Sequence, residues 1–134
     1  MPISKKEIIN QKLVDKNIYE KAEEYALALF TEGEKWAKKQ GLILVDTKYE
    51  FGLVDDELIV IDEIHTPDSS RYWIESEYEK RYQEGADQLM LDKENIRQWL
   101  ISKGFSGEGT PPELDDDIRI LLSEKYICLL YTSP

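Results

Sequence analysis

Residues 41–73, GLILVDTKYEFGLVDDELIVIDEIHTPDSSRYW, carry the reading that decides the fold. The apolar run LILV at 42–45 predicts a strand covered on both faces. From Asp46 onward the residues alternate, with Asp46, Lys48 and Glu50 on one side and Thr47, Tyr49 and Phe51 on the other. Same-face neighbours on a strand lie about 7 Å apart, so the three charges make a ladder about 14 Å long. LIVI at 58–61 predicts the returning strand, with Asp55-Asp56-Glu57 at the tip and Asp62-Glu63 just past its end. Pro67-Asp68-Ser69-Ser70-Arg71 then reads as a turn, because Pro, Asp and Ser are turn formers.

The register of this hairpin bears on chemistry. A two-residue tip at Asp55-Asp56 pairs Val54 with Glu57 and sends Asp62 to the face opposite Glu50. A three-residue tip pairs Val54 with Leu58 and sets Glu50 across from Asp62, with Cβ atoms about 5 Å apart. Asp-Asp lacks the glycine that a two-residue type I′ turn prefers, so the three-residue register is expected. Two carboxylates that close repel unless a cation or proton lies between them, which marks Glu50 and Asp62 as a candidate metal pair.

Helices flank this unit. Ser4 and Glu7 form a capping box, with Ile3 and Ile8 as its staple. Asp15 caps the longest predicted helix, whose stripe of Ile18, Ala22, Tyr25, Ala26, Leu29 and Trp36 should pack on the sheet, and Gly41 ends it. A polar helix is expected over 75–82 and another from Asp92 to Lys103-Gly104, with Leu91 and Ile96 as staple and Trp99 and Leu100 inward. A last one starts near Leu114, with Ile118, Leu121, Leu122 and Tyr126 inward. The fold class is therefore α+β: an antiparallel strand hairpin packed with several helices, in one domain over 1–134.

Composition limits the function. The chain has 134 residues, 41% hydrophobic and 34% charged, with a net charge of −11, as a folded domain of soluble type would. That charge argues against nucleic-acid and anionic-membrane partners. One cysteine, Cys128, excludes an internal disulfide and zinc-ligand spacing, and points to a reducing cytoplasm. No segment has the length of a membrane span or a signal-type apolar core.

Each candidate has a plainer reading. The 46/48/50 ladder suits an ordinary solvated sheet face as well as a site, and Asp62 tips it towards a site. Asp68 to Arg71 has the hydroxyls and guanidinium of an anion cradle, but taken alone it reads as a turn. The loop GFSGEGTPP lacks the Gly-Lys-Ser/Thr ending of a phosphate loop and reads as a connector. His65, the sole histidine, reads as a packing or supporting residue, and Cys128 as a buried small hydrophobe.

The strings GLILVDTKYEFG and ELIVIDEIHTPDSSRYW, continued by DKENIRQWL and GFSGEGTPPEL, closely resemble the SAICAR synthetase (phosphoribosylaminoimidazole-succinocarboxamide synthase) family of purine biosynthesis. The resemblance runs from about residue 3 to 127 and corresponds to the family's C-terminal portion. It implies the C-terminal lobe of a two-lobed fold related to kinase and ATP-grasp folds, with the N-terminal ATP-binding lobe absent. The activity implied is an ATP-dependent carboxylate–amine ligation. The carboxylate of carboxyaminoimidazole ribonucleotide (CAIR) becomes an acyl phosphate that the amine of L-aspartate attacks, giving SAICAR, ADP and phosphate.

Carried onto this sequence, the resemblance makes Glu50 and Asp62 Mg²⁺ ligands that also meet ATP phosphates. Lys48 becomes the cation on phosphate or the reacting carboxylate, and Asp46 its support. Asp68, Ser70 and Arg71 hold CAIR, with Arg71 on its phosphate. Small-molecule substrates and a homo-oligomer are the partners implied. Starting near the lobe boundary and ending in an atypical stretch at 128–134 (a frameshifted end or a cloning scar), the chain is expected to be inactive alone. The rival readings are a non-catalytic CAIR or nucleotide-binding module and a self-associating structural piece.

Overall fold

The structure, a computed structural model, describes residues 3–91 and 93–132, with side chains described as far as residue 127. Its elements are α1 (Lys5–Asn10), α2 (Lys16–Lys39), β1 (Leu42–Thr47), β2 (Glu50–Val54), β3 (Glu57–Ile61), β4 (Ser70–Ile74), α3 (Glu75–Glu84), α4 (Glu94–Ser102) and α5 (Asp116–Thr132). Mixed helix and antiparallel strand is the expected class. Two features of the sheet are not as expected. The stretch from 42 onward is not one long strand, and residues 70–74 are a strand rather than the end of a turn.

The strands form two separate antiparallel pairs, β1 with β4 and β2 with β3. The chain changes partner at Lys48-Tyr49, which belong to neither pair. β1 also shifts register between Leu44 and Asp46, an irregularity that re-aims the residues beyond it. The ladder of Asp46, Lys48 and Glu50 is thereby divided between two sheets.

In the hairpin, Val54 pairs with Glu57 and Glu50 with Ile61. The tip is thus the two-residue turn, and the three-residue register is wrong. Asp55 and Asp56 have φ of 49° and 63°, the left-handed values a type I′ turn requires at both centres. Aspartate tolerates that region because its short polar side chain can bond locally, so no glycine is needed.

The core lies between α2 and the β1–β4 pair: Ala37, Leu42, Leu44, Tyr72 and Leu91, with Phe30 and Ile74 against them. Each fully buried leucine contributes about 1.5–3 kcal/mol. Ala26, Phe30, Gly33 and Ala37 follow the helical repeat and present one line to the sheet. Trp36, expected in that stripe, is instead 44% exposed, with the Lys39 ammonium 4.2 Å from its ring centre.

Local signals at helix ends hold. Ser4 and Glu7 make the full capping box, and Asp15 accepts from the Asn17 N–H at 2.8 Å. Gly41, at φ 70°, closes α2 in the left-handed conformation that glycine adopts without strain. α5 starts two residues later than expected, because Asp115 caps it by accepting from the Ile118 N–H at 3.0 Å. Ile118 is buried, but Leu121 and Tyr126 are exposed, against expectation. Asp92 as the cap of α4 and the reading of Cys128 as buried fall outside the described residues. Among those described, no helix is long and apolar enough to cross a membrane.

Candidate functional site

Lys48 is the centre of the charged cluster. Its Nζ lies 2.5 Å from Glu50 Oε1 and 3.8 Å from Asp62 Oδ2. With the two-residue tip, Asp62 falls outside the ladder and does not face Glu50 across it. It comes back towards Lys48 because the backbone turns left-handed there, at φ 71°. Glu50 holds the Lys48 ammonium above its ordinary pKa, chiefly through their hydrogen bond, with Asp62 and Glu63 adding to the effect. All three side chains are about half exposed or more, so the pairing is solvent-screened.

Asp46 faces the other way along the chain. It pairs across β1–β4 with Arg71, whose Nε donates to Asp46 Oδ1 at 2.8 Å while Nη2 donates to Oδ2. This two-point grip fixes the plane of the guanidinium. It also holds the Asp46 carboxyl below its ordinary pKa, against a smaller opposing effect of burial. The two expected roles therefore separate: Lys48 with Glu50 and Asp62, and Asp46 with Arg71.

Asp68 accepts a salt bridge from Lys93 at 3.1 Å, a partner that nothing in the sequence singled out. Ser70 is 3% exposed, and its hydroxyl donates to Thr47 Oγ1 at 2.8 Å. It is built into the floor under Arg71 rather than open to a ligand. Thr66 and Ser69 tie the loop to itself: the Thr66 N–H donates to Ser69 Oγ and the Ser69 N–H to Thr66 Oγ1. Thr66 also donates to Glu63 at 2.6 Å. The loop is then stitched to the start of the hairpin, where the Lys48 N–H donates to the Ser69 carbonyl at 3.1 Å.

Beneath this lies a pair of polar side chains. Tyr49 Oη and His65 Nε2 share a hydrogen bond of 2.6 Å, and Tyr72 donates to the His65 carbonyl at 2.6 Å. Burial pushes the Tyr49 phenol up to about 12 and lowers the His65 imidazole, so both groups stay neutral near pH 7. His65 is thus a supporting residue, as its isolation in the sequence suggested. A pocket of about 430 Å³, lined by Gln40, Gly41, Leu42, Ile74 and Leu91 among others, opens at the opposite end of the β1–β4 pair.

No cluster of three or more His, Cys, Asp or Glu able to hold a metal gathers among the described residues. Glu50 and Asp62 facing one ammonium are instead an oxygen-only donor pair. That suits Mg²⁺, which is commonly held by one or two carboxylates and completes its shell from water and phosphate.

A family model described as SAICAR synthetase matches residues 1–113. The chain belongs to the SAICAR synthetase family. The phosphoribosylaminoimidazole-succinocarboxamide synthase of Azobacteroides pseudotrichonymphae is 50% identical over 132 residues, covering 97% of this chain and 41% of its own length. The SAICAR synthase of Saccharomyces cerevisiae, solved in complex with SAICAR, matches at a TM-score of 0.75 and 32% identity, over 91% of this chain and 40% of that one. A SAICAR synthetase solved in complex with ADP matches at 0.62 and 25% identity, over 93% and 43%. The chain therefore spans about two fifths of the length of the SAICAR synthetases it matches.

Proposed function

We propose that this chain is the metal- and substrate-facing portion of an ATP-dependent ligase that joins the carboxylate of CAIR to the amine of L-aspartate. The observation that carries this reading is the Lys48 ammonium held between Glu50 and Asp62, beside the Asp46–Arg71 pair. One cluster suits a phosphate with its counter-ion; the other suits the phosphate of a ribonucleotide.

In this reading Glu50 and Asp62 hold Mg²⁺, which when bound offsets the charge on the transferring phosphoryl group. Lys48 stands against the phosphate oxygens or the CAIR carboxylate. Arg71, its plane set by Asp46, takes the CAIR phosphate, and Asp68 lies in the loop leading to it. Ser70 acts as the strut that keeps Arg71 in place. A carboxylate oxygen of CAIR attacks the γ-phosphorus and ADP leaves; the aspartate amine then attacks the acyl phosphate carbon and phosphate leaves. The lone cysteine favours a cytoplasmic setting.

The test is isothermal titration, with product analysis, on a chimera in which these 134 residues replace the matching segment of a full-length relative. The chimera is expected to form SAICAR. Glu50→Gln should weaken Mg²⁺-dependent nucleotide binding about tenfold or more, the size of a lost charge-assisted contact. Arg71→Ala should weaken CAIR binding while nucleotide binding survives. Unchanged Mg²⁺-dependent binding in Glu50→Gln sinks the metal assignment. SAICAR formation by the 134-residue chain alone sinks its reading as a portion of the enzyme.

A further inference from the structure

The loop between β3 and β4 carries two non-glycine residues with left-handed backbone, Asp62 at φ 71° and His65 at φ 57°. Such conformations persist only where the surroundings over-determine them. His65 is held from three directions. Tyr49 bonds its Nε2 at 2.6 Å and packs edge-on against the ring, centroids 5.6 Å apart. Tyr72 of β4 donates to its carbonyl at 2.6 Å. On the remaining side the ring rests on α2 at Gly33, which is buried.

Gly33 is the tightest point of this contact. A Cβ there would lie 2.5 Å from His65 Cε1, 2.6 Å from Nε2 and 2.8 Å from Leu44 Cδ2, where no side chain fits without displacement. Glycine in the middle of a helix disfavours the helix. Here it leaves room for the imidazole to rest against α2.

The positions of the two bonded residues in the chain give the contact its consequence. Tyr49 lies between Lys48 and Glu50, and His65 lies midway between Asp62 and Asp68. One hydrogen bond thus joins the middles of the two charge-bearing segments from below.

We propose that the Tyr49–His65 hydrogen bond, seated on Gly33, is the clasp that holds the loop from Asp62 to Ser70 in register with Lys48 and Glu50. Tyr49, His65 and Gly33 are positioning residues. The effect on ligand binding rests on the functional reading above; the effect on the loop does not.

Native-state hydrogen exchange on the full chain tests the clasp. Tyr49→Phe removes one hydroxyl and keeps the ring, so folding is retained. The probes are amides whose acceptors lie in the loop: Lys48 (to Ser69), Ser70 (to Thr66) and Ser69 (to Thr66 Oγ1). The controls are Glu75, bonded to Gly41, and Ala86, bonded to Arg81. The loop amides should exchange about fivefold faster in Tyr49→Phe, the size of one lost hydrogen bond, with the controls unchanged. Gly33→Ala should loosen the same amides by unseating the ring, and His65→Gln, whose amide can still bond Tyr49, should loosen them less than His65→Ala. Loop exchange equal to wild type in Tyr49→Phe overturns the clasp, and so does an equal rise at loop and control amides.

Titration with Mg²⁺ and ATP supplies the second arm. It is made on the full-length chimera, and a chimera that binds neither leaves the exchange result to decide the clasp while counting against the functional reading. Faster loop exchange in Tyr49→Phe with Mg²⁺–ATP affinity unchanged keeps the clasp as a loop anchor and overturns its role in the site.

Discussion

At Asp62 one backbone torsion sets the composition of the charged cluster. Continued as a strand, residue 62 would point away from Glu50; turned to φ 71°, it brings its carboxylate to 3.8 Å from the Lys48 ammonium. The residue types of the cluster were legible in the sequence, but that torsion was not, because aspartate is compatible with either conformation. The Asp46–Arg71 pair was hidden for another reason: it depends on β1 lying beside β4, a long-range pairing that local alternation does not encode. His65 shows what burial does to one group. Its folded pKa is held below the ordinary 6.5, so the unfolded chain takes up a proton first as pH falls. The stability tied to a neutral His65 is complete above pH 6.5 and is lost as the pH drops through that value towards the folded pKa. Urea midpoints measured from pH 7.5 down to 5 should therefore fall for the wild type, and fall less for His65→Gln.

Among the elements, the helix ends were the most readable, since Ser4, Glu7, Asp15 and Gly41 act through bonds within a few residues of themselves. The strands were less so. β3 is legible from LIVI, whereas β2 reads as a continuation of β1, and the register of the pair follows the tolerance of aspartate for positive φ rather than the absence of glycine. β4 is hidden in the sequence because SRYWI follows a Pro-Asp-Ser-Ser run that signals a turn. The observed tip makes its own prediction. Asp56→Gly places at φ 63° the residue that adopts this region most freely, and also removes the middle one of three consecutive like charges, Asp55-Asp56-Glu57. Stability should rise by about 0.5–1 kcal/mol, offset in part by the freer unfolded chain. Thermal unfolding followed by circular dichroism should show the midpoint up by about 2–4 °C, and an unchanged or lower midpoint would argue against the type I′ tip.

At the scale of the whole molecule, the hairpin stands out for its incomplete cover. Val54 and Ile61 on one face, and Leu53 and Val60 on the other, are 36–54% exposed, and Ile64 just beyond is 41% exposed. A two-stranded sheet apolar on both faces is stable only against something else. We propose that a second copy of the chain covers this hairpin, as the homo-oligomer implied by the resemblance would. Sedimentation velocity should show mass rising with concentration for the wild type, and Val54→Lys should move the distribution towards the monomer. A wild type that stays monomeric at every concentration would remove the proposal. The nesting of the two strand pairs also bears on the order of folding. β2 and β3 meet across a two-residue turn, a local closure completed in about 1–10 μs, whereas β1 and β4 meet only across everything between them. Once the inner pair has zipped, the open chain that the outer pair must bridge shrinks to Lys48-Tyr49 on one side and the loop after Ile61 on the other, and the entropy of closing it falls accordingly. The hairpin that later carries the charges is, during folding, the staple that draws β1 and β4 together.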